Sequence, residues 1–180
     1  LISSDHDFYQ LVNQKTIIWS PTLKDFVNSK KVIERFGIHP NNFCLAKSIS
    51  GDSSDNISGV KGVAYKSLSK YFKKFKDEND YLVEDFFDDV EKLASIKKLK
   101  MLSEISNSKD IIRRNWKLIH LDVNNLVHIQ TSKIDQKIEN PAKTCDNIGA
   151  HKILNENGII NIDLLKAKLL FRNLNQGNKN

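Results

Sequence analysis

The spacing of hydrophobic residues predicts an α/β edge at the N-terminus of the chain, followed by helices. Leu1–Ser3 is typical of the end of a buried strand, and the β-branched run Thr16–Trp19 is typical of a second strand. Leu23–Val27 would return as its hairpin partner after a break at Pro21. A buried parallel strand needs neighbours on both sides, and this chain has few candidates for them. We therefore expect most of the sheet to lie outside these 180 residues.

Further along the chain, apolar residues recur at intervals of three and four, which predicts helices. In Ala64–Phe75 this spacing gathers the aromatic residues on one face and leaves the lysines for the other. Residues 123–145 are polar, lack this spacing of apolar residues and are expected to be irregular. Helices are predicted at Phe8–Val12, Lys31–Phe36, from Pro40 to Gly51, and at Ala64–Phe75, Asp80–Phe87, Val90–Ile105, Lys109–Leu118, Ile148–Asn155 and Asp163–Leu174, before a disordered tail at Asn175–Asn180.

The charge of the chain is segregated along the sequence. The net charge is +6 and the pI about 9.2, values that are compatible with nucleic-acid binding without requiring it. Six lysines and no acid lie between Lys61 and Lys76, whereas Asp77–Glu91 contains eight acids and no base. The basic stretch is a candidate phosphate-facing surface, with a solvated helix face as the alternative. The acidic run is expected to be solvated and to point away from nucleic acid.

Composition excludes several classes of protein. No apolar run approaches the roughly 20 residues that span a bilayer, and no secretory signal is visible. Cys44 and Cys145 fit neither a disulfide framework nor a zinc site, which indicates a reducing, cytoplasmic setting. Cys44 is expected in the core. Because the first residue, Leu1, is not methionine, we expect the natural start to lie upstream.

Two short acidic motifs are the strongest chemical signal. S-S-D-H-D-F carries Asp5 and Asp7, which would face the same side of an extended strand at its carboxyl end. G-D-S-S-D-N carries Asp52 and Asp55, three residues apart and so on one face of a helical turn. Each like-charge contact at about 4 Å costs on the order of 4 kcal/mol at an effective dielectric constant near 20.

Divalent cations remove that cost, and Mg²⁺ prefers oxygen ligands. Two such ions about 4 Å apart can activate water and stabilise the leaving oxygen of a phosphodiester. Taken singly, each motif has a structural alternative: Ser4 or Asp5 could cap a helix, and Asp52 could cap a turn. Their joint presence before a glycine-rich turn and a lysine-rich helix favours a metal site acting on nucleic acid.

The two motifs, with W-S-P and G-V-K-G-V-A-Y-K-S, resemble the 5′-nuclease (flap endonuclease) superfamily. Within it, W-S-P and N-W-K-L-I-H-L-D are most similar to the phage 5′-exonucleases called RNase H in T-even phages. The resemblance is specific over residues 1–75 and weaker to 122. It implies a Mg²⁺-dependent nuclease that cleaves 5′ ends and flaps of DNA, and RNA primers, in replication. The implied fold is the edge of a parallel-sheet, PIN-like core followed by a helix–hairpin–helix.

The resemblance also assigns roles to regions and residues. It implies three parts: 1–58 from the catalytic core, 59–122 with the helix–hairpin–helix and supporting helices, and 123–180 as a helical extension. The implied partners are flapped, nicked or gapped DNA, RNA–DNA hybrids and replication proteins, in a bacterial or phage-infected cell. By motif position the two Mg²⁺ ions (or Mn²⁺) are held by Asp5, Asp7, Asp52 and Asp55, and the duplex backbone by Gly59, Lys61, Gly62, Ala64, Lys66 and Lys70.

Three further expectations follow. Many relatives hold K⁺ at the hairpin, but Ala64 stands where they often have glycine, and alanine costs more at positive φ. The family's remaining carboxylates and basic arch are not found here, so the 180-residue chain is expected to cleave DNA poorly. The alternatives are a non-catalytic helix–hairpin–helix module and a small α/β RNase, and Gly59–Lys70 argues against the second.

Overall fold

The structure, a computed structural model, describes residues 1–140 and 147–158, together with 163 and 166. The chain divides into two compact units, Leu1–Asp122 and Val123–Asn180. None of the described helices is long and apolar enough to cross a membrane. Most of the helix predicted over Asp163–Leu174, the tail Asn175–Asn180 and Cys145 lie outside the described residues.

The strands are short and form two separate hairpins. β1 (Ile18–Ser20) pairs antiparallel with β2 (Asp25–Val27), as predicted. β3 (Gly51–Asp52) pairs antiparallel with β4 (Ile57–Ser58). The first residues do run extended, because Ile2 forms a parallel bridge to Trp19 of β1. Within these 180 residues the side chains of Leu1 and Ile2 are exposed, so the predicted burial of this segment is not seen here.

Helices make up most of the described chain. In the first unit, 3₁₀ helices His6–Leu11, Pro40–Asn42 and Lys73–Lys76 separate longer α-helices. In the second unit a 3₁₀ turn, Val123–Asn125, precedes two α-helices. The α-helices are α1 (Ser29–Phe36), α2 (Phe43–Ser50), α3 (Tyr65–Tyr71), α4 (Val83–Ile96), α5 (Lys100–Ser106), α6 (Lys109–Ile119), α7 (His128–Glu139) and α8 (Asn147–Glu156).

Helix ends follow the capping residues of the sequence. The Asn28 side chain accepts a hydrogen bond from the Lys31 amide and begins α1. Gly37 ends α1 in the left-handed conformation, with φ of 73°. Pro40 opens the 3₁₀ turn that leads into α2, and Gly51 follows its last residue. The predicted boundaries near these residues are confirmed within two residues.

Two predicted segments differ from the structure. The expected break before Val90 is absent, since Phe86, Phe87 and Val90 continue one buried face along α4. The chain breaks instead at Lys97, which is extended. Residues 123–145 are not irregular throughout, because they contain α7. The sequence of that helix lacks a strong amphipathic pattern, and none of its residues is buried.

Helix α2 lies at the centre of the first unit. Every residue from Phe43 to Ile49 is buried, and the helix packs against α3 and α6. Aromatic rings line one side of it, where the Phe43 ring stacks on Tyr65 and meets Tyr9 edge-on. Cys44 is buried there, as expected. Burial of this helix contributes apolar area that stabilises the unit.

The amide of Asn42 organises the loop between the basic and acidic stretches. Asn42 is 1% exposed. Its Nδ2 donates hydrogen bonds to the carbonyls of Lys74, Asp77 and Asn79, at 3.1, 2.9 and 3.1 Å. Its Oδ1 accepts one from the amide of Tyr81 at 2.8 Å. One buried side chain therefore bonds four backbone groups of this loop, of which the Lys74 carbonyl also accepts a hydrogen bond from the Asp77 amide.

We expect Asn42→Ala to lower the free energy of unfolding by about 2–4 kcal/mol, because it removes the hydrogen bonds that this buried amide makes to residues 74–81. Urea denaturation measures the change. The neighbouring Asn41 is exposed and donates one hydrogen bond, to the Glu78 carbonyl. Asn41→Ala is therefore the matched control, with a loss below about 1 kcal/mol. Equal losses in the two variants would contradict the role given to Asn42.

Candidate metal centre

The first acidic motif begins a 3₁₀ helix. Asp5 is its N-cap, and its Oδ1 accepts a hydrogen bond from the Asp7 amide at 2.9 Å. The Asp5 amide in turn donates to Ser3 Oγ at 3.0 Å. The capping alternative for Asp5 is thus the one observed. The expectation that Asp5 and Asp7 share one side of an extended strand is wrong, because the helix starts at His6.

The second acidic motif forms the β3–β4 hairpin rather than a helical turn. Asp52 lies on β3, paired with Ile57, and Asp55 lies in the connecting turn. The turn places Asn56 at a φ of 56°, a conformation that asparagine tolerates better than most residues. The expectation of one helical face for Asp52 and Asp55 is therefore wrong.

Two glycines allow the base of this hairpin to close. A Cβ on Gly51 would lie 2.3 Å from the Gly59 nitrogen, and Gly51 has a φ of 81°. A Cβ on Gly59 would lie 2.2 Å from the carbonyl carbon of Ser50. Neither position can accept a side chain without moving backbone atoms. Close backbone packing thereby fixes where the second acidic motif leaves α2.

Folding brings Asp7, Asp52 and Asp55 together. One carboxylate oxygen from each lies within 4.8 Å of the others. Asp5, the fourth predicted ligand, is not a member of this group among the described residues. Three of the four aspartates therefore converge. The two motifs that supply them are separated in sequence by the first hairpin, α1 and α2. Their role as metal ligands stays a prediction.

Lys47 lies between two of these carboxylates, and sequence reasoning missed it. Its Nζ forms salt bridges with Asp7 and, at 2.5 Å, with Asp52. The Lys47 side chain is only 4% exposed. A signal for it existed, since Lys47 is the one charged residue of the buried helix F-C-L-A-K-S-I-S. A buried ammonium is stable only with paired anions, and here it has two.

The electrostatics of the group follow from this arrangement. Burial raises the pKa of Asp52, but hydrogen bonds from Lys47 and Ser54 outweigh it and hold that pKa well below its usual range. Ser54 donates to Asp52 from both its amide and its hydroxyl. The charge of Asp52 raises the pKa of the exposed Asp55. Burial lowers the pKa of Lys47, yet its hydrogen bonds to Asp52 and Asp7 raise it overall.

The donor set fits a small hard cation. Three carboxylates whose oxygens lie within 4.8 Å of one another offer the oxygen ligands that Mg²⁺ prefers, and a cation between them would relieve their mutual repulsion. The ammonium of Lys47 already occupies the side of the group facing α2. Asp55 is exposed, so a further cation would enter from the solvent side.

The remaining reactive groups near the centre are unsuited to nucleophilic chemistry. Burial raises the pKa of Cys44 to about 12, which keeps the thiol protonated. Burial likewise raises the pKa of Tyr65 to about 12. His6 stacks on Tyr9 with 4.7 Å between ring centroids, and burial lowers its pKa. His6 is thus packed against the aromatic rings.

The turn after the hairpin carries the predicted phosphate-binding residues. Lys61, Lys66 and Lys70 are all exposed. Gly62 has a φ of 75° with open space around it, whereas Ala64 has a φ of −129°. Alanine at position 64 is therefore unstrained, and the argument against a monovalent ion that rested on it no longer holds.

The acidic run does not simply point into solvent. Lys74 forms a 2.7 Å salt bridge with Asp89 of α4, and Asp89 also accepts a hydrogen bond from Tyr81. Glu84 pairs with Arg113 of α6 at 2.8 Å. These contacts join α4 to its basic neighbours. Glu84 is exposed, as expected of a solvated acidic face, whereas Asp89 is partly buried and departs from that expectation.

No family model matches the chain, but several curated proteins do. The 5′-3′ exonuclease of Buchnera aphidicola subsp. Schizaphis graminum is 25% identical over 81% of this chain and 48% of the relative. The flap endonuclease Xni of Shewanella oneidensis is 23% identical over 82% and 52%. The DNA polymerase I of Bacillus subtilis is 34% identical over 61% and 11%. The chain spans about half the length of the exonuclease relatives it matches.

Solved structures agree with these relatives. T5 5′-exonuclease with bound zinc matches with a TM-score of 0.55 and 28% identity, over 66% of this chain and 41% of that one. A T5 D15 flap endonuclease variant in a pseudo-enzyme–product complex with DNA and metal ions also has a TM-score of 0.55, with 26% identity over the same shares. The exonuclease and flap endonuclease relatives are enzymes that hydrolyse nucleic acids. The resemblance to the 5′-nuclease superfamily that the acidic motifs indicated is thereby confirmed.

Proposed function

We propose that this chain forms part of a Mg²⁺-dependent 5′-3′ exonuclease or flap endonuclease acting on DNA. The observation that carries the proposal is the convergence of Asp7, Asp52 and Asp55, the first two of which pair with the buried ammonium of Lys47. Similarity to 5′-nucleases in both sequence and fold supports it. RNA primers and a role in replication, in the cytoplasm of a bacterial or phage-infected cell, belong to the same proposal.

The chain's own residues have separable tasks at this centre. Asp7, Asp52 and Asp55 would hold the metal, which when bound supplies positive charge to a phosphodiester and to the water that attacks it. Ser54 keeps Asp52 ionised and oriented through two hydrogen bonds. The ammonium of Lys47 offsets the negative charge of Asp7 and Asp52, so a bound metal would have less negative charge to compensate.

Three carboxylates account for one ion rather than two. A second ion about 4 Å away needs further oxygen ligands. Asp5 is a neighbouring candidate, although its Oδ1 already caps the 3₁₀ helix. We propose that other ligands come from the part of the enzyme that corresponds to the rest of its longer relatives. The 180-residue chain alone would then cleave flapped DNA weakly. Robust cleavage in Mg²⁺ would contradict the proposal that this chain holds only part of the metal site.

The segment after the hairpin is proposed to grip the duplex backbone. α2, the turn at Gly59–Val63 and α3 would act as a helix–hairpin–helix, with K⁺ at the turn as a further possibility. Helix α3 has seven residues, so its dipole adds little, and the exposed Lys61, Lys66 and Lys70 carry the attraction to phosphate. These lysines follow directly after the hairpin that holds Asp52 and Asp55.

A second candidate function is a non-catalytic DNA-binding module. It is favoured by one observation, that Lys47 already pairs Asp7 and Asp52 and stabilises the group without a metal. The two functions differ in their response to divalent ions. A metal site gains stability from Mg²⁺, whereas a purely structural ion-pair cluster does not.

If Mg²⁺ binds here, concentrations a hundredfold above its dissociation constant should raise the melting temperature by roughly 5–10 °C relative to EDTA. Asp52→Asn together with Asp55→Asn should abolish the shift, because the carboxylates that hold the ion are removed. Differential scanning fluorimetry measures it. Asp88→Asn with Asp110→Asn, two exposed acids elsewhere, is the control that keeps the shift. No shift in the unmodified chain would favour the non-catalytic module.

Lys47→Met should make the chain more dependent on Mg²⁺. In EDTA we expect the free energy of unfolding to fall by about 2–4 kcal/mol, because Asp7 and Asp52 lose their shared cation. Excess Mg²⁺ should recover most of that loss, and urea denaturation in both conditions tests it. Lys31→Met removes an exposed salt bridge of the same 2.5 Å length, to Asp25, and should cost below about 1 kcal/mol with no Mg²⁺ effect.

Binding to duplex DNA should weaken with salt, with a log–log slope of about −0.9 for each phosphate contacted. Lys61→Gln, Lys66→Gln and Lys70→Gln together should reduce the steepness of that slope by up to about three such contacts. Fluorescence anisotropy across a salt series measures it. A variant with Lys24→Gln, Lys30→Gln and Lys98→Gln carries the same charge loss at other exposed lysines. Equal slopes in the two variants would exclude the turn as the contact surface.

A further inference from the structure

Two side-chain amides link helix α6 to the two acidic motifs, one from α6 itself and one from the 3₁₀ helix His6–Leu11. It packs along α2, the helix that carries Lys47. Asn115 lies in its interior, and Gln10, in the 3₁₀ helix of the first motif, reaches its C-terminal end. The carboxylate group is built from segments that are distant in sequence, so something must fix their relative positions.

Asn115 links the second acidic motif to α2. The residue is completely buried. Its Nδ2 donates hydrogen bonds to the Ser48 carbonyl at 3.0 Å and to the Ser58 carbonyl at 2.9 Å. Ser48 lies in the last turn of α2, where carbonyls lack helical partners, and Ser58 pairs with Gly51 in the hairpin. One amide thus ties the hairpin that carries Asp52 to the helix that carries Lys47.

Gln10 links the first acidic motif to the end of α6. Its Nε2 donates hydrogen bonds to the Asp7 carbonyl at 2.9 Å and to the Ile119 carbonyl at 3.0 Å. Its Oε1 accepts one from the Leu121 amide at 3.1 Å. The backbone of Asp7 is thereby fixed to α6 from the opposite end to Asn115.

We propose that Asn115 and Gln10 are positioning residues of the metal centre, and that α6 is the brace that sets the spacing between Asp7 and the Asp52–Asp55 hairpin. Neither amide touches a carboxylate oxygen of the group. Both act on the backbone that carries those carboxylates. Residues that orient ligands in this indirect way typically change metal affinity about 10–100-fold when removed. The proposal rests on the metal role proposed above, but the bracing itself can be tested without metal.

The test compares Asn115→Ala and Gln10→Ala with Asn42→Ala. Asn42 is a matched control because it is also a buried asparagine that donates to several carbonyls. It lies directly before α2, and the carbonyls it bonds belong to residues 74–79, not to the hairpin. Two quantities are measured in the full chain. One is Mn²⁺ affinity from electron paramagnetic resonance titration, and the other is amide hydrogen exchange of residues 51–59 relative to α4.

We expect Asn115→Ala and Gln10→Ala each to weaken Mn²⁺ binding about tenfold or more, while Asn42→Ala changes it less than about threefold despite an equal or larger loss of melting temperature. Asn115→Ala should also accelerate exchange in residues 51–59 more than in α4. Gln10 is only half-buried, so Gln10→Ala preserves folding if Asn115→Ala is too unstable.

Parallel changes in Asn115→Ala and Asn42→Ala, in both affinity and exchange, would overturn the proposal and leave Asn115 as an ordinary core residue. Failure of the unmodified chain to bind Mn²⁺ would instead contradict the metal role proposed for the aspartates. In that case the exchange comparison still decides whether Asn115 braces the hairpin, so the two failures are distinguishable.

Discussion

The architecture of the centre depends on one buried ammonium. Lys47 enters from the apolar helix α2 and pairs with Asp7 and Asp52, which arrive from separate segments. Isolated, each of these charges would be costly to remove from water, and together they compensate one another. The same contact joins a 3₁₀ helix, an α-helix and a hairpin. Because the ammonium of Lys47 compensates Asp7 and Asp52, these carboxylates can come together without a divalent ion.

Much of the first unit could be predicted from the sequence because its signals are local. Asn28, Gly37 and Pro40 mark helix ends, and the apolar spacing marks the buried face of α3. The first hairpin followed from a β-branched run and a proline break. The aspartates were recognised as a group by their motifs, although spacing alone gave the wrong local geometry for both pairs.

What could not be predicted depends on contacts between distant residues. Nothing near Lys47 in the sequence says that its ammonium meets Asp7, and nothing near Asn115 says that its amide reaches Ser48 and Ser58. The capping role of Asp5 competes with an extended strand, and only the observed 3₁₀ helix decides between them. Helix α7 was missed because its sequence lacks a strong amphipathic pattern, which agrees with its having no buried residue.

The close approach of Gly51 and Gly59 has a consequence for which substitutions the hairpin can accept. Because backbone meets backbone at the base of the hairpin, neither glycine can take a side chain without moving backbone atoms. Both positions are therefore held to glycine by sterics alone, independently of any metal. Substitution is sterically easier at the exposed residues 53–56 between them and at the exposed lysines that follow. The two glycines would be required even if the aspartates between them were replaced.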